Sequence, residues 1–308
     1  MLPQVNSAIE KFTLLYDYDF IEQNGPFNSV DEMVESLGMT ELIQQSGLSY
    51  LTSNGISKEF AEEIIESATR VNYGQNIDKI SAVGSLVSMA GSGMTVAGGN
   101  YQIFDKFLQN SNASVHYNTE VMDIRKNEND KWNVLLKDDI NAQNNEYDIV
   151  IIATPIPLFD IPYVNLHVTL LSTNQTTYDD NFGFGKSPPQ MIVTTDELSR
   201  KEGTSLLEFN SINYVQKASS KWSDNDENIV KIFSDHEWSN ERINDLFREK
   251  NPEWIHKHTF DAYPYLKPME NPKDLPPFEI DTNLYYTSPF GEYFFSNKIT
   301  NHLSNEIS

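Results

Sequence analysis

Four glycines fall within the nine residues GSGMTVAGG, 91–99, and Asn100 then leads into the helical pattern YQIFDKFL. Glycines ahead of a helix leave backbone amides open, which suits a phosphate or the edge of a flat ligand. The spacing fits neither common nucleotide loop. A G-x-G-x-x-G fingerprint would need glycine at 96, where Val96 stands, and no strand pattern precedes Gly91 and Gly93. The pair Gly98–Gly99 is open to two readings, a tight turn where chain segments cross or a place where a flat ligand lies against bare backbone.

Other chemistry-bearing residues form no constellation. FGFGKS, 182–187, imitates the end of a phosphate loop, but Asp180 occupies the position that needs glycine and would repel phosphate. No G-x-S-x-G elbow occurs. His256 and His258 are spaced to share one strand face as metal ligands, yet no third ligand follows in a recognisable pattern, and surface histidines are the simpler reading. DNDEN, 224–228, reads as a solvated turn. No catalytic acid–base pair and no metal set emerge.

Composition bounds what these residues could serve. A formal charge of −23 over 308 residues excludes binding to the nucleic-acid backbone, which needs clustered Lys and Arg. The absence of cysteine excludes disulfides, thiolate metal ligands and a thiol nucleophile. No apolar run has the length of a membrane span. MLPQVNSAIEKF lacks a basic stretch followed by an apolar one, so no signal peptide is expected at this start. Two sequons, at Asn112 and Asn174, are what an Asn-rich chain yields by chance.

Several elements must position the candidates. Residues 1–75 read as short helices, with pieces at 31–37 and 39–45 broken by Gly38 and Gly47. A better helix begins at the N-cap Ser57 and carries Phe60, Ile64, Ile65, Ala68 and Val71 at helical spacing. Tyr101, Phe104, Phe107 and Leu108 form one helical stripe. SVHYNTEVMDIRK and KWNVLLK alternate and flank NEND, a hairpin pattern. The apolar run Ile149 to Ala153 predicts a fully buried, parallel strand. Further strands are expected in VNLHVTLL, QMIVTT, NIVKIF and TNLYYTS, with a helix capped by Ser239 and a weak C-terminal helix after Pro289.

The block RVNYGQNIDKISAVGSLVSMAGSGMTVAGGNYQIFDKFLQNSNASVHYNTEVMDI, 70–124, and the later YDIVIIATP resemble the prenylcysteine oxidase (prenylcysteine lyase) family. The resemblance implies a mixed α/β, FAD/NAD(P)-binding flavin-oxidase type of fold lacking its first Rossmann βαβ, with a substrate domain of helices and antiparallel strands. It implies an FAD-dependent thioether oxidase that converts S-farnesyl- or S-geranylgeranyl-cysteine, with O2, to prenyl aldehyde, cysteine and H2O2 in the breakdown of prenylated proteins. The chain would then divide into 1–90, a helical part of the substrate domain; 91–158, part of the FAD-binding domain; 159–277, the prenyl-binding domain; and 278–308, the C-terminal part of the FAD-binding domain.

By the same resemblance Gly98, Gly99 and Asn100 would lie near the flavin ring, Val121 would offer its backbone to the adenine, and Ala153, Thr154 and Pro155 would pass close to the dinucleotide. Phe290 and Glu292 of the terminal motif would complete the FAD contacts. Family members hold the pyrophosphate in a G-x-G-x-x-G loop near their start, and this chain is expected to begin downstream of it. The family's S-T-M-E-T stretch reads Ser296-Asn297-Lys298-Ile299-Thr300 here. The lysosome or vacuole and a peripheral membrane association are the expected setting. Two other readings are a remnant that binds prenyl lipid without catalysis, and a related flavin oxidase acting on amines.

Overall fold

Ser29, Ser46 and Ser57 each end an extended stretch and accept a hydrogen bond from the amide three residues on, so that each starts a helix. Such caps divide the N-terminal part of the computed structural model into α1 (Pro3–Thr13), α2 (Tyr18–Asn24), α3 (Val30–Ser36), α4 (Thr40–Gln44), α5 (Gly47–Ser53), α6 (Lys58–Phe60), α7 (Glu66–Tyr73) and α8 (Ala82–Val87). The structure describes residues 2–90, 95–137, 145–154, 162–174, 189–202, 207–217, 227–247, 252, 254–271 and 277–287.

α6 continues through a π-helical turn, Ala61–Ile65, into α7. The expected apolar stripe is buried at Ile65, half-buried at Ala68 and Val71, and shares the interior with polar residues. Phe60 and Ile64 are exposed, while Glu62, Glu66, Thr69 and Arg70 are buried with Ala61 and Ile65. Partners far along the chain neutralise these charges, so the polar face turns inward. Val5, Val34, Ile43, Leu51, Ile65 and Leu86 fill the core among these helices.

Next in the chain come α9 (Tyr101–Ser111), β1 (Val121–Lys126), β2 (Trp132–Leu136), β3 (Glu146–Tyr147) and β4 (Val150–Ile152). They are followed by β5 (Tyr163–Thr173), β6 (Met191–Val193), α10 (Glu197–Glu202), β7 (Ser211–Lys217), β8 (Asn228–Ser234), α11 (Asn240–Phe247), β9 (Trp254–Pro264), β10 (Glu279–Asp281) and β11 (Leu284–Tyr286). The chain forms two compact units: Met1–Ala90 with Ile156–Pro276 and Phe290–Ser308, and Gly91–Pro155 with Pro277–Pro289.

In the first unit β6-β7-β8-β5-β9 form an antiparallel sheet in that order. One face is sealed by α11. Leu171, Ile212, Val230 and Ile232 meet Trp238, Ile243, Leu246 and Phe247 in one fully buried cluster. Ser239 caps α11 through Arg242 N at 3.1 Å, as its position predicts. DNDEN departs from a solvated turn where it is described, since Glu227 is buried and Asn228 opens β8. FGFGKS lies outside the described residues.

The second unit holds two small sheets, β1-β2-β3 and β10-β11-β4. The NEND hairpin forms, with Asn127 Oδ1 accepting from Asn129 N and Lys131 N. Its first strand is shorter than expected because Asn118 adopts a left-handed turn before Val121. β4 is parallel, as its apolar run predicts, and pairs with β11 in the register Leu284↔Val150 to Tyr286↔Ile152. It is not fully buried: Ile149 and Ile151 are exposed, because among the described residues β4 is the outer strand of its sheet.

Candidate functional site

In the second unit the glycine turn is bare backbone. Gly98 and Gly99 hold φ of +90° and +119°, a region that strains residues bearing a Cβ. Gly99 N donates to Val96 O at 2.9 Å, closing the turn. Asn100 Oδ1 reaches back to accept from Val96 N at 2.9 Å. Gln102 Nε2 ties down the carbonyls of Ala97 and Gly99 at 2.8 and 3.1 Å. The amides of Gly98, Asn100 and Tyr101 make no hydrogen bond among the described residues. A fixed turn with free amides at a helix start is suited to partial negative charge on a ligand.

α9, which follows, buries none of its residues. Tyr101, Phe104 and Phe107 are 63%, 64% and 66% exposed, and Leu108 continues their stripe. An apolar stripe this open marks a contact surface, since monomer surfaces rarely leave one uncovered.

Ala153 and Thr154 follow the end of β4 and are exposed. Beside them Thr287, just past β11, donates from its N and Oγ1 to Ile152 O at 3.0 and 3.3 Å. Both lie at the carboxyl end of the parallel pair, the end at which open α/β sheets receive ligands. Val121 starts β1, half exposed, and pairs with Leu136 just before a register shift that falls between it and Asp123. No hydrogen bond among the described residues joins the glycine turn, the β4 end and Val121 to one another. Pro155, Phe290 and Glu292 lie outside the described residues, as do Gly91 and Gly93. The described residues fit part of a flat dinucleotide: small side chains, free amides and a parallel-strand end are present, and a G-x-G-x-x-G cradle is absent from the sequence.

The first unit offers a second surface, the sheet face opposite α11. Register places Asn213, Lys231, Leu170 and His256 in one row across four strands, and Phe233, Val168 and His258 in the next. Trp254, His256, His258 and Phe260 are exposed along β9. His256 stacks on Trp254 at 6.1 Å and His258 meets Phe260 edge-on at 4.3 Å. The two histidines share a strand face, and among the described residues no group of three potential ligands surrounds a metal position. Burial lowers the pKa of the Lys231 ammonium, which lies 4.4 Å over the ring of Phe233. Sequence reading overlooked this lysine. Its signal is the alternation of NIVKIF, where Ile229, Lys231 and Phe233 share one face and Val230 and Ile232 the other.

RVNYGQN, 70–76, is a fastening between the helices and this sheet. Arg70 Nη1 donates to Asn76 Oδ1 at 2.6 Å and Nη2 donates to Asn210 Oδ1. Gly74 ends α7 left-handed at φ +63°, where an added Cβ would meet Val164 at 3.0 Å. Gln75 Nε2 donates to Pro264 O at 3.1 Å, and its Oε1 accepts from Leu266 N at 2.8 Å. Tyr73 packs edge-on to Tyr263 at 5.7 Å, and burial pushes both phenols above their ordinary pKa.

Residues 1–297 match the family described as Prenylcysteine lyase. Farnesylcysteine lyase of Arabidopsis thaliana is 26% identical over 93% of this chain and 55% of its own length. Prenylcysteine oxidase 1 of Homo sapiens is 27% identical over 92% of this chain and 60% of its own. The chain therefore spans a little over half the length of these relatives. Among solved structures, a double mutant of putrescine oxidase superposes with a TM-score of 0.47 at 11% identity, covering 93% of this chain and 70% of that one. A likeness that loose carries no argument about fold or function.

Proposed function

The chain belongs to the prenylcysteine lyase family, and from that premise we propose that it serves the FAD-dependent oxidation of the thioether of S-prenyl-L-cysteine. The observation that carries this reading is the extent of the match, which begins at residue 1, ends at 297 and runs through both compact units. Bound FAD would supply the two-electron oxidising power, with O2 as final acceptor.

The chain's own residues take binding and shielding roles in this reading. The free amides of Gly98, Asn100 and Tyr101 and the small residues Gly98, Gly99 and Ala153 admit the flavin nucleotide against backbone. Thr154 stands with Ala153 at the parallel-strand end, and Val121, at the start of β1, offers its backbone to the adenine. The open face of the five-stranded sheet, with Leu170, Phe233, Trp254 and Phe260, takes the C15 or C20 chain and keeps water from it. A lysosomal or vacuolar setting belongs to the same reading.

Among the described residues the stripe of α9 is uncovered and β4 is an outer strand, which in this reading leaves both available to a further layer of polypeptide. Parallel strands are ordinarily covered on both faces. That layer would carry the pyrophosphate cradle this sequence lacks.

The test is a purification of the longest form the gene encodes, in the presence of FAD. The expected result is retained flavin identified as FAD after release, and H2O2 with prenyl aldehyde formed from S-farnesyl-L-cysteine. Saturable prenylcysteine binding without peroxide would favour a non-catalytic lipid binder. Peroxide from amines but not from prenylcysteine would replace the substrate.

A further inference from the structure

A lone ammonium on an apolar sheet face is costly unless it has something to bind. Lys231 lies on the face opposite α11, between Ile229 and Phe233 along β8, with Leu170 directly across on β5. All four are partly buried. Among the described residues the ammonium has no carboxylate partner and no hydrogen bond; its contact is the ring of Phe233 at 4.4 Å. The cation on the opposite face of the sheet is engaged elsewhere. Lys257, on the α11 side, donates to Trp238 O at 2.5 Å and faces Glu237 at 3.5 Å.

The neighbour on the other side is Asn213 of β7, directly opposite Lys231 in register and partly buried. Its side-chain amide also has no partner among the described residues. Directly opposed residues place their Cβ atoms about 4.5–5.5 Å apart, close enough for an ammonium and an amide to share one small anion. Leu170, Ile229 and Phe233 flank this pair of donors, with Ser211 and His256 as polar neighbours on the same face. The ligand that fits is an amphiphile: a long apolar chain and one compact anionic head.

We propose that Lys231, with Asn213, binds the α-carboxylate of the prenylcysteine substrate and so fixes which end of the molecule lies deepest on the sheet. The inference rests on the functional reading above and assigns its specificity for a free carboxylate. Burial lowers the pKa of Lys231, and a bound carboxylate would offset that cost by restoring a counter-charge. The residue is a positioning residue and takes no part in electron transfer.

The test uses the flavin-loaded protein, reduced and anaerobic so that no turnover occurs, titrated calorimetrically with S-farnesyl-L-cysteine and with its methyl ester. The wild type should bind the acid about ten- to a hundredfold more tightly than the ester, the range of a hydrogen bond to a charged group. Lys231→Met, which keeps the apolar stem, should bring acid affinity down to that of the ester and leave ester affinity unchanged. Lys231→Arg should keep most of the preference. Equal affinity for acid and ester in the wild type overturns the inference, whether or not the variants fold. So does a Lys231→Met protein that keeps the preference or loses both ligands alike. Wild-type protein that binds neither compound overturns the functional reading itself.

Discussion

Glu66→Ala is expected to destabilise the first unit by about 3–5 kcal/mol, the cost of breaking a buried ion pair by removing one partner. Glu66 is 0% exposed. Its Oε2 pairs with Arg200 Nη1 at 2.7 Å and accepts from Ile77 N at 3.2 Å, while Oε1 accepts from Asp196 N at 2.6 Å. One carboxylate therefore satisfies a guanidinium and two backbone amides on two other segments, one at Ile77 and one at 196–200. Arg200 is also 3.2 Å from Glu62, itself buried. Without Glu66 the two amides lose their acceptor and Arg200 keeps a weaker set of partners. Burial already pulls the pKa of the nearby Arg70 down, with Asp196 and Glu66 opposing the shift, so this corner is poorly placed to lose a negative charge. Glu66→Gln should cost less, because one oxygen still accepts. The check is the urea midpoint followed by far-UV circular dichroism, with the slope compared to confirm that the transition is unchanged in size. A loss below about 1 kcal/mol would place this network among ion pairs of little weight.

Trp238→Ala should cost about 3–5 kcal/mol, as other large-to-small changes of buried aromatic residues do. The indole is 2% exposed and closes the cluster between α11 and the sheet. Its Nε1 donates to Glu208 O at 2.8 Å, and Phe209 meets its ring edge-on at 6.1 Å. The Arg242 guanidinium lies 5.2 Å over the ring and is held there by Glu208, at 2.6 Å. Alanine would leave a void beneath Ile212 and Ile232 that neighbouring β strands are too tightly paired to close. Trp238→Phe keeps much of the volume and should cost a fraction of that. Thermal melting of both variants beside the wild type decides it. Near-equal losses for Ala and Phe would mean that the hydrogen bond, and not the volume, carries the effect.

Much of the local structure is legible in the sequence because its causes are local. Ser57 and Ser239 cap helices through amides three residues away, and Asn127 shapes its hairpin through residues within four positions. The alternation in VNLHVTLL and NIVKIF yields β5 and β8 directly. The inward turn of Glu62, Glu66 and Arg70 is not legible. At i, i+4 spacing they look like a solvated helix face, and their partners Arg200, Asp196 and Asn210 stand about 130 residues on. The strand beside β4 is likewise far off, at Leu284.

The candidate site divides in the same way. Gly98 and Gly99 are visible because positive φ needs glycine. Lys231 is hidden because a single lysine in a strand carries no motif, and only the register with Asn213 and Leu170 shows what surrounds it. RVNYGQN, which opens the block that carries the family resemblance, is engaged in holding α7 to the sheet.

Anaerobic mixing of the FAD-loaded protein with S-farnesyl-L-cysteine tests the central claim most directly. The expected result is loss of the oxidised-flavin absorbance with release of one free cysteine per flavin reduced, and recovery of the spectrum with H2O2 on admitting O2. A flavin that stays bound and oxidised in saturating substrate, with no cysteine released, would contradict the proposed activity.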